Sequence, residues 1–357
     1  MSEPRHNFKQ SFNHSLKCVI KIALVITCLT PTISACTNSS TNSNNLSSES
    51  ITETTRPIVI ASSDFKLPIT AMPKSKLPVT VESADKKTVT ITDTSRIIVL
   101  NDAIAEIVIS LGFLKNIIGR DATTTLEILK PIAKVSSGHD VSAESVLALS
   151  PTLVIGDTRS GPPEAIQQLR GAGLPILLAP EVWQLSEIAP RIMLIAKALG
   201  VVESGDKLLN ETQSKIDEAL AQATAKKINP RVAFLYVRGT ASVFLLGGEG
   251  SGADEMIAAA GGIDVGTSMG LSTFTPLTTE AIVKANPDII IVLSLGLKSV
   301  GGIDGLLALP GIAQTPATKT RAVISIDDDL LFSFGPRTGS LIVSLAQSFD
   351  TLMTSTN

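Results

Sequence analysis

The stretch SAESVLALSPTLVI, residues 142–155, recurs in altered form as TTEAIVKANPDIII, residues 278–291. In both copies a glutamate precedes a proline by seven positions, and a run of aliphatic residues follows the proline. This pattern predicts a helix that ends at the proline and leads into a buried strand. Because the same unit occurs in both halves of the chain, we expect two lobes with similar layouts.

Two further pairs of segments repeat in the same order. RIIVLND (96–102) resembles RVAFLYV (231–237), and AEIVISLG (105–112) resembles DEMIAAAG (254–261). Apolar strand-like runs alternate with helical patterns, which is typical of α/β folds with mostly parallel sheets. The predicted strands are RIIVL, LVIG, PILLA, RVAFLYV, DIIIVLS and AVISI, and the predicted helices cover 103–112, 143–150, 163–172, 186–199, 204–225, 253–260, 279–286 and 338–352.

A long stretch between the repeats predicts a single connecting helix. Residues 203–227 contain no glycine or proline after Gly205, and their apolar residues recur at helical spacing. A helix of about twenty residues spans about 30 Å, which is enough to join two lobes. We therefore predict two Rossmann-like α/β lobes, 79–202 and 228–357, joined by this one bridging helix. A β-hairpin over 79–93 begins the first lobe.

The N-terminal 35 residues are predicted to be a secretory signal peptide, because basic residues precede a short apolar run. The peptide ends in ISAC, which resembles the lipobox of bacterial lipoproteins, where the cysteine is lipidated. Here that cysteine is Cys36, and an uncleaved anchor is the alternative. Residues 36–78 form a predicted flexible tether and irregular segment, since 37–56 are rich in Ser, Thr and Asn and 57–78 contain four prolines.

Removal of the signal peptide narrows the functional classes. Cys36 becomes the only cysteine, which excludes an intramolecular disulfide and a zinc or iron–sulfur site built on cysteines. The remaining 26 basic and 32 acidic residues give a net charge of −6, which argues against nucleic acid as a partner. One histidine, His139, and one tyrosine, Tyr236, also remain.

The repeat places both of these residues near strand ends. Tyr236 corresponds to Asn101 at the end of a first strand, and His139 shortly precedes the first repeat helix. Ligands of parallel α/β sheets bind outside the carboxyl ends of the strands, so Asn101 is a candidate for lining a pocket between the lobes. Imidazole and phenolate both ligate heme iron, and Arg238, two residues along the strand, favours the phenolate. From the residues alone, an alternative remains open: His139 could be an ordinary surface residue, and Tyr236 could serve only in packing.

Three stretches resemble a known family. They are SGHDVSAESVLALSP, FLYVRG and SVGGIDGLLALPGIAQTPA. All three are similar to the heme-binding lipoproteins of bacterial ABC heme importers, the HmuT type of class III substrate-binding proteins. The resemblance runs from about Val79 to the C-terminus.

The resemblance implies a receptor and not an enzyme. Heme would be the transported ligand, with its iron between the axial ligands His139 and Tyr236 and with Arg238 supporting the tyrosine. The protein would be extracytoplasmic and lipid-anchored, and its partners would be the permease and ATPase of an ABC importer. Some members of the family have a tyrosine and a methionine in the heme pocket, near positions that match Phe274 and Leu293. The side chains of Phe274 and Leu293 can neither ligate iron nor form hydrogen bonds.

Other residues are candidates for contacts with the ligand or a partner. Arg159 and Lys298 lie in predicted loops from which they could neutralise heme propionates. The family resemblance implies that an exposed glutamate on each lobe pairs with permease arginines, and Glu164 and Glu255 are the candidates. Asp254 is a rival for Glu255, and a simple helix-dipole role is the alternative for both glutamates.

Other hypotheses differ from this one in the ligand or in the class of protein. Cobalamin or a ferric siderophore could occupy the same fold, and an exported heme enzyme is a further alternative. The glycines of 248–252 match a dinucleotide-binding pattern loosely, without a convincing second strand ending in an acidic residue. GTSMG (266–270) matches a hydrolase pattern, but no histidine follows His139 to complete a catalytic triad.

Overall fold

Each predicted strand and helix has a counterpart in the structure. The computed structural model describes residues 57–138, 140–225 and 228–354. The strands are β1 (Ile58–Ile60), β2 (Val79–Glu82), β3 (Thr88–Ile91), β4 (Ile97–Val99), β5 (Ile117–Arg120), β6 (Ala133–Lys134), β7 (Ser136–Ser137), β8 (Asp140–Val141), β9 (Leu153–Asp157), β10 (Ile176–Ala179), β11 (Arg231–Arg238), β12 (Val243–Gly247), β13 (Ile263–Asp264), β14 (Phe274–Pro276), β15 (Ile289–Leu293) and β16 (Val323–Ile326). The α-helices are α1 (Asp102–Val108), α2 (Ala143–Ala148), α3 (Pro163–Gly171), α4 (Ile188–Ala198), α5 (Val202–Thr224), α6 (Ala253–Ala259), α7 (Val265–Ser268), α8 (Thr279–Ala285), α9 (Ser294–Ser299), α10 (Gly302–Leu307), α11 (Pro316–Lys319) and α12 (Thr338–Thr354).

The N-terminal lobe is built on a five-stranded sheet in the order β10-β9-β4-β5-β6, with every pairing parallel. Every residue of β4, β9 and β10 is buried. Apart from Gly156 and Asp157 at the end of β9, these strands are aliphatic, because both faces of a parallel sheet are covered. The predicted hairpin is present as the antiparallel pair β2–β3, in which Val79 lies opposite Ile91.

The C-terminal lobe repeats the same core order. β16, β15 and β11 are parallel neighbours, as β10, β9 and β4 are in the first lobe. This correspondence confirms the two-lobe α/β fold predicted from the internal repeat. The lobes differ beside β11, because β12 returns antiparallel to it and places Leu245 opposite Tyr236. A short turn therefore joins β11 and β12, where a crossover joins β4 and β5.

The segment 57–78, predicted to be extended and poorly regular, contains one short strand of a sheet. β1 pairs in parallel with β16, and Ile58 lies opposite Ile324. The backbone N–H of Ser62 then donates to the Asp327 carboxylate over 2.8 Å. The start of this segment thus belongs to the sheet of the C-terminal lobe, although the chain continues from it into the N-terminal lobe.

The bridging helix α5 has 23 residues, which corresponds to about 35 Å at 1.5 Å per residue. It packs against α4 of the first lobe and α12 of the second. Gly205 lies against Ala196 of α4, and Gly339 of α12 lies against the backbone of Lys215. A methyl group added at these glycines would come within 2.4 Å and 2.6 Å of those neighbours. The close packing of α4 and α12 against α5 therefore depends on glycine at these two positions.

One apolar cluster extends through both lobes. It includes Ile97 and Ile155 from the first sheet, Ile216 from α5, and Phe234 and Ile324 from the second sheet. Each sheet has a separate apolar layer on its other face. Because close-packed interiors deform little, this shared core limits how far one lobe can move relative to the other.

Candidate ligand-binding cleft

A cleft of about 680 Å³ lies between the lobes, where the carboxyl ends of β4, β9 and β10 face those of β11, β15 and β16. Asn101, Arg159 and Trp183 line it from the first lobe, and Tyr236 and Phe332 line it from the second. This is the edge of a parallel sheet at which ligands are expected to bind.

Tyr236 and Arg238 act together in this cleft. They are two residues apart on β11 and project to the same face. Arg238 Nε donates a hydrogen bond to the phenolic oxygen of Tyr236 over 3.0 Å, and the guanidinium carbon lies 5.2 Å from the centre of the tyrosine ring. A positive donor aimed at the phenol oxygen stabilises the phenolate form.

Arg238 also faces a carboxylate of the same lobe. Its Nη2 lies 4.0 Å from Oδ1 of Asp328, and the backbone N–H of Leu295 donates to Oδ2 of Asp328 over 3.0 Å. Burial raises the pKa of Asp328 above its ordinary value. Arg238 therefore lies between a phenol and a partly desolvated carboxylate, and both limit its freedom.

The β7–β8 hairpin forms part of the rim of the first lobe. Ser136 Oγ donates to Asp121 over 2.8 Å, and the backbone N–H of Val141 donates to the carbonyl of Gly161 over 2.7 Å. Asp121 and Val141 line the cleft. His139 falls in the sequence between these two strands but lies outside the described residues, as does Cys36.

A polar network follows the ends of β4 and β9. Asn101 Oδ1 accepts from the N–H of Ile104 and begins α1, while its Nδ2 donates to Asp157 over 2.7 Å. The guanidinium of Arg159 is 3.7 Å from Asp157 and 3.6 Å from Glu181. More than half of the Arg159 side chain is exposed, so its charge faces the cleft and solvent.

Aromatic rings provide the apolar wall. Phe332 meets Trp183 of the opposite lobe edge to face at 6.0 Å and Phe274 at 6.5 Å, and Phe274 lies 5.9 Å from Tyr236. Arg159 lies over the Trp183 ring at 5.0 Å. Phe274 and Leu293 both line the cleft. Sequence reasoning missed Trp183 and Phe332, although each follows the carboxyl end of a core strand, where such rings could have been suspected.

The floor of the cleft contains a carboxyl group with altered acidity. Asp102, in the first turn of α1, accepts a hydrogen bond from the backbone N–H of Thr125 over 3.0 Å. Desolvation and the nearby Asp329 carboxylate raise the pKa of Asp102 to about 8. Near neutral pH this side chain is therefore largely protonated, which reduces the negative charge of the floor.

The remaining candidates lie elsewhere. Lys298 is exposed on α9 and is not among the residues that line the cleft. Glu164 is exposed in the first turn of α3. Glu255 was expected to be exposed, but it is half-buried and accepts a hydrogen bond from the backbone N–H of Leu185, in the other lobe, over 3.2 Å. Its rival Asp254 accepts from the backbone N–H of Gly250 over 2.8 Å.

Comparison with known sequences explains this architecture. A family model described as "Periplasmic binding protein" matches residues 97–330. The chain belongs to the periplasmic binding protein family. Its members of known sequence that match this chain include "Uncharacterized ABC transporter substrate-binding lipoprotein YvrC" of Bacillus subtilis, which is 28% identical over 262 residues, or 72% of this chain and 80% of that protein. A vitamin B12-binding protein of Vibrio campbellii is 23% identical over 260 residues, or 72% and 90%.

Several solved structures that match this chain are of heme-binding proteins. The crystal structure of heme binding protein HmuT has a TM-score of 0.76 and 33% identity, and the match covers 83% of this chain and 98% of that one. Further matching structures are also of heme-binding proteins. The predicted resemblance to the HmuT type is thereby confirmed. Three HmuT structures are of variants in which a histidine, or a tyrosine and an arginine two positions apart, are individually replaced by alanine.

The family assignment indicates what class of protein this is and where in the cell it is located. The family model is that of periplasmic binding proteins, and one matching relative is named as an ABC transporter substrate-binding lipoprotein. A periplasmic binding fold and a lipoprotein relative indicate an extracytoplasmic protein. Among the described residues, no helix is both long and apolar enough to cross a membrane.

Proposed function

We propose that this protein binds heme between its two lobes and delivers it to an ABC importer. The observation that carries the proposal is the 3.0 Å hydrogen bond from Arg238 to Tyr236 in a cleft with aromatic walls. A phenolate oxygen is a ligand of ferric heme iron, and an adjacent guanidinium donor stabilises a negatively charged oxygen.

His139 and Tyr236 are the proposed axial ligands, one from each lobe. The described neighbours of His139 support this, because β7 and β8 are hydrogen-bonded to cleft-lining residues of the first lobe. The HmuT variants at a histidine and at a tyrosine–arginine pair of the same spacing support it further. Two ligands on opposite lobes would place the iron between them.

The rest of the cleft suits an amphipathic macrocycle. Phe274, Phe332 and Leu293 offer apolar contact to the ring, and Arg159 offers a partly exposed cation for a propionate. Lys298 is exposed on α9 and does not line the cleft, so it is a weaker candidate for this role than Arg159. The bound group would be cargo, so no catalytic step is proposed.

A hemin titration followed by absorption spectroscopy tests the proposal. We expect a ferric heme spectrum of the tyrosinate type with the wild-type protein. Tyr236→Phe removes only the ligating oxygen and should abolish that spectrum, and His139→Ala should change it. Asp140→Ala, beside the histidine, is the matched control and should leave the spectrum intact. Absence of hemin binding to the wild-type protein would refute the proposal.

Cobalamin is the second candidate, because a vitamin B12-binding protein is among the relatives. The same cleft would then use Tyr236 and the aromatic rings as lining and not as ligands. Titration with cyanocobalamin in parallel with hemin separates the two. Saturable binding of cyanocobalamin without binding of hemin would favour it, and a ferric siderophore can be tested in the same way.

Two further parts of the proposal concern location and delivery. Lipidation of Cys36 would hold the protein at the cell membrane, and labelling with a radioactive fatty acid, lost in Cys36→Ser, tests it. The exposed Glu164 is the proposed contact with the permease on the first lobe. On the second lobe, the half-buried Glu255 would first have to leave its hydrogen bond to Leu185.

A further inference from the structure

Two buried arginines cross between the lobes next to the cleft. Arg191, on α4 of the first lobe, is 3% exposed and donates from Nη2 to the carbonyls of Ser333 and Phe334, each over 2.5 Å. Arg337, just before α12 of the second lobe, is 2% exposed and binds Glu106 of α1 over 2.5 Å. Each lobe therefore holds the other through a guanidinium.

Both contacts converge on one segment, residues 329–337. Its first residue, Asp329, accepts from Arg337 Nη2 over 2.9 Å, so the two ends of the segment are joined. Arg191 holds its middle at Ser333. The hydrogen bonds are buried and charge-assisted, which makes them strong and costly to break. The segment is thus joined end to end within the second lobe, and the first lobe holds it through Arg191 at its middle and through Glu106 at Arg337.

The same segment forms a wall of the cleft. Phe332, Ser333 and Asp329 all line the cleft, and Phe332 contacts the rings of Trp183 and Phe274. The position of Phe332 therefore depends on where Arg191 and Arg337 hold its neighbours.

The lobes also meet closely at one glycine. A Cβ atom at Gly252 would lie 2.9 Å from the Trp183 ring and 3.1 Å from Phe334. Because no side chain fits between these groups, a shift of the segment 329–337 must change the environment of Trp183. Trp183 is the only tryptophan of the chain, so its fluorescence reports this change directly.

We propose that Arg191 and Arg337 form an interlobe clamp that fixes the segment 329–337 against the first lobe, and that Arg191 is a positioning residue for Phe332 in the cleft. The role of Phe332 toward heme rests on the proposed function. The clamp itself does not, since it is built from contacts within the protein.

The test uses the full chain with Arg191→Met, Arg191→Lys and a control, Arg231→Met. Arg231 also donates two hydrogen bonds to a backbone carbonyl, that of Ala285, but within one lobe. Trp183 emission is measured without ligand, and hemin affinity is measured by absorption. Unfolding temperatures identify variants that are merely destabilised.

Arg191→Met should shift Trp183 emission to longer wavelength and weaken hemin binding by about tenfold or more. Arg191→Lys keeps the charge without the planar donor geometry and should show a smaller shift of the same sign. Arg231→Met should lower the unfolding temperature and leave both readouts unchanged. If Arg191→Met does not fold, Arg191→Lys and Glu106→Gln decide the question with the same readouts.

Folded Arg191 variants with wild-type emission and wild-type hemin affinity would overturn the clamp. If the wild-type protein does not bind hemin, the proposed function fails, but the emission of ligand-free variants still decides whether the clamp exists. A shift in emission with unchanged hemin affinity would overturn the positioning role of Arg191.

Discussion

Arg238 and Tyr236 form a hydrogen-bonded pair within a single strand, with 3.0 Å between Nε and the phenolic oxygen. The alternation of a β-strand is sufficient to place residues i and i+2 on one face, so the pair needs no tertiary contact to form. The tertiary structure adds the cleft around it and the Asp328 carboxylate at 4.0 Å.

Replacement of Arg238 by methionine should weaken tyrosinate ligation of hemin. Hydrogen bonds to charged groups contribute about 1.5–3 kcal/mol, so we expect a loss of about tenfold or more in affinity. A hemin titration followed by absorption spectroscopy measures the loss. Arg238→Lys is the conservative comparison, and wild-type hemin affinity in Arg238→Met would contradict the supporting role.

Asp102 should make folding stability depend on pH. Its pKa is raised to about 8 in the folded protein, against about 3.9 for an unperturbed aspartate. The stabilisation from its bound proton is fully present below about pH 4 and is lost as the pH rises through about 8. Asp102→Asn keeps the acceptor for Thr125 and removes this dependence.

The gain in unfolding temperature of Asp102→Asn over wild type should therefore grow from pH 5 to pH 9. Thermal unfolding at several pH values measures it. The exposed Asp304→Asn is the control, and an equal effect of Asp102→Asn at all pH values would show that this carboxyl group titrates normally.

Gly252 should tolerate no side chain. Its φ of +80° is unfavourable for other residues, and an added Cβ would lie 2.9 Å from the Trp183 ring. Gly173 has the same φ of +80° with no atom near its Cβ position, so Gly173→Ala measures the backbone effect alone. Gly252→Ala should be more destabilising than Gly173→Ala by about 1–3 kcal/mol, the usual cost of overpacking. Chemical denaturation of both variants gives the difference, and equal values would show that the lobes separate easily.

Glu164→Ala should impair delivery without affecting capture. Glu164 is exposed in the first turn of α3 and lines no part of the cleft, so hemin affinity should stay at the wild-type value. Stimulation of the importer's ATPase activity by the hemin-loaded protein should fall. Glu144→Ala, an exposed glutamate in the first turn of α2, is the matched control. Normal stimulation by the Glu164 variant would exclude this residue from the docking contact.

Local pattern was sufficient for much of the architecture. The repeated helix–proline–strand unit indicated that the two lobes have similar layouts, and the stretch free of glycine and proline after Gly205 indicated α5. The pairing of β1 with β16 could not be found in this way, because β1 is three residues long and its partner lies over 260 positions away. Short strands have too few alternating residues to be recognised.

The residues of the cleft likewise fall into those that local pattern identified and those that it did not. Tyr236 and Arg238 were identified because their types and spacing carry chemical meaning within one strand. Phe332 and Trp183 lie in loops, and their contact depends on how two lobes pack. The pairing of Glu106 with Arg337 likewise joins side chains 231 positions apart. Residue type identifies a possible ligand, while the walls around it are determined by long-range packing.

The pairing of β1 with β16 has a consequence for biosynthesis. β1 leaves the ribosome early, but its partner strand is complete only when residue 326 has been made. Until then β1 has no partner in its final sheet, and afterwards it covers the edge of β16, whose four residues are all buried. A chain shortened beyond Ile60 would expose that aliphatic edge as a template for pairing with other chains. The first strand of the fold can thus pair only after most of the chain has been made, and in the finished protein it covers the edge of β16.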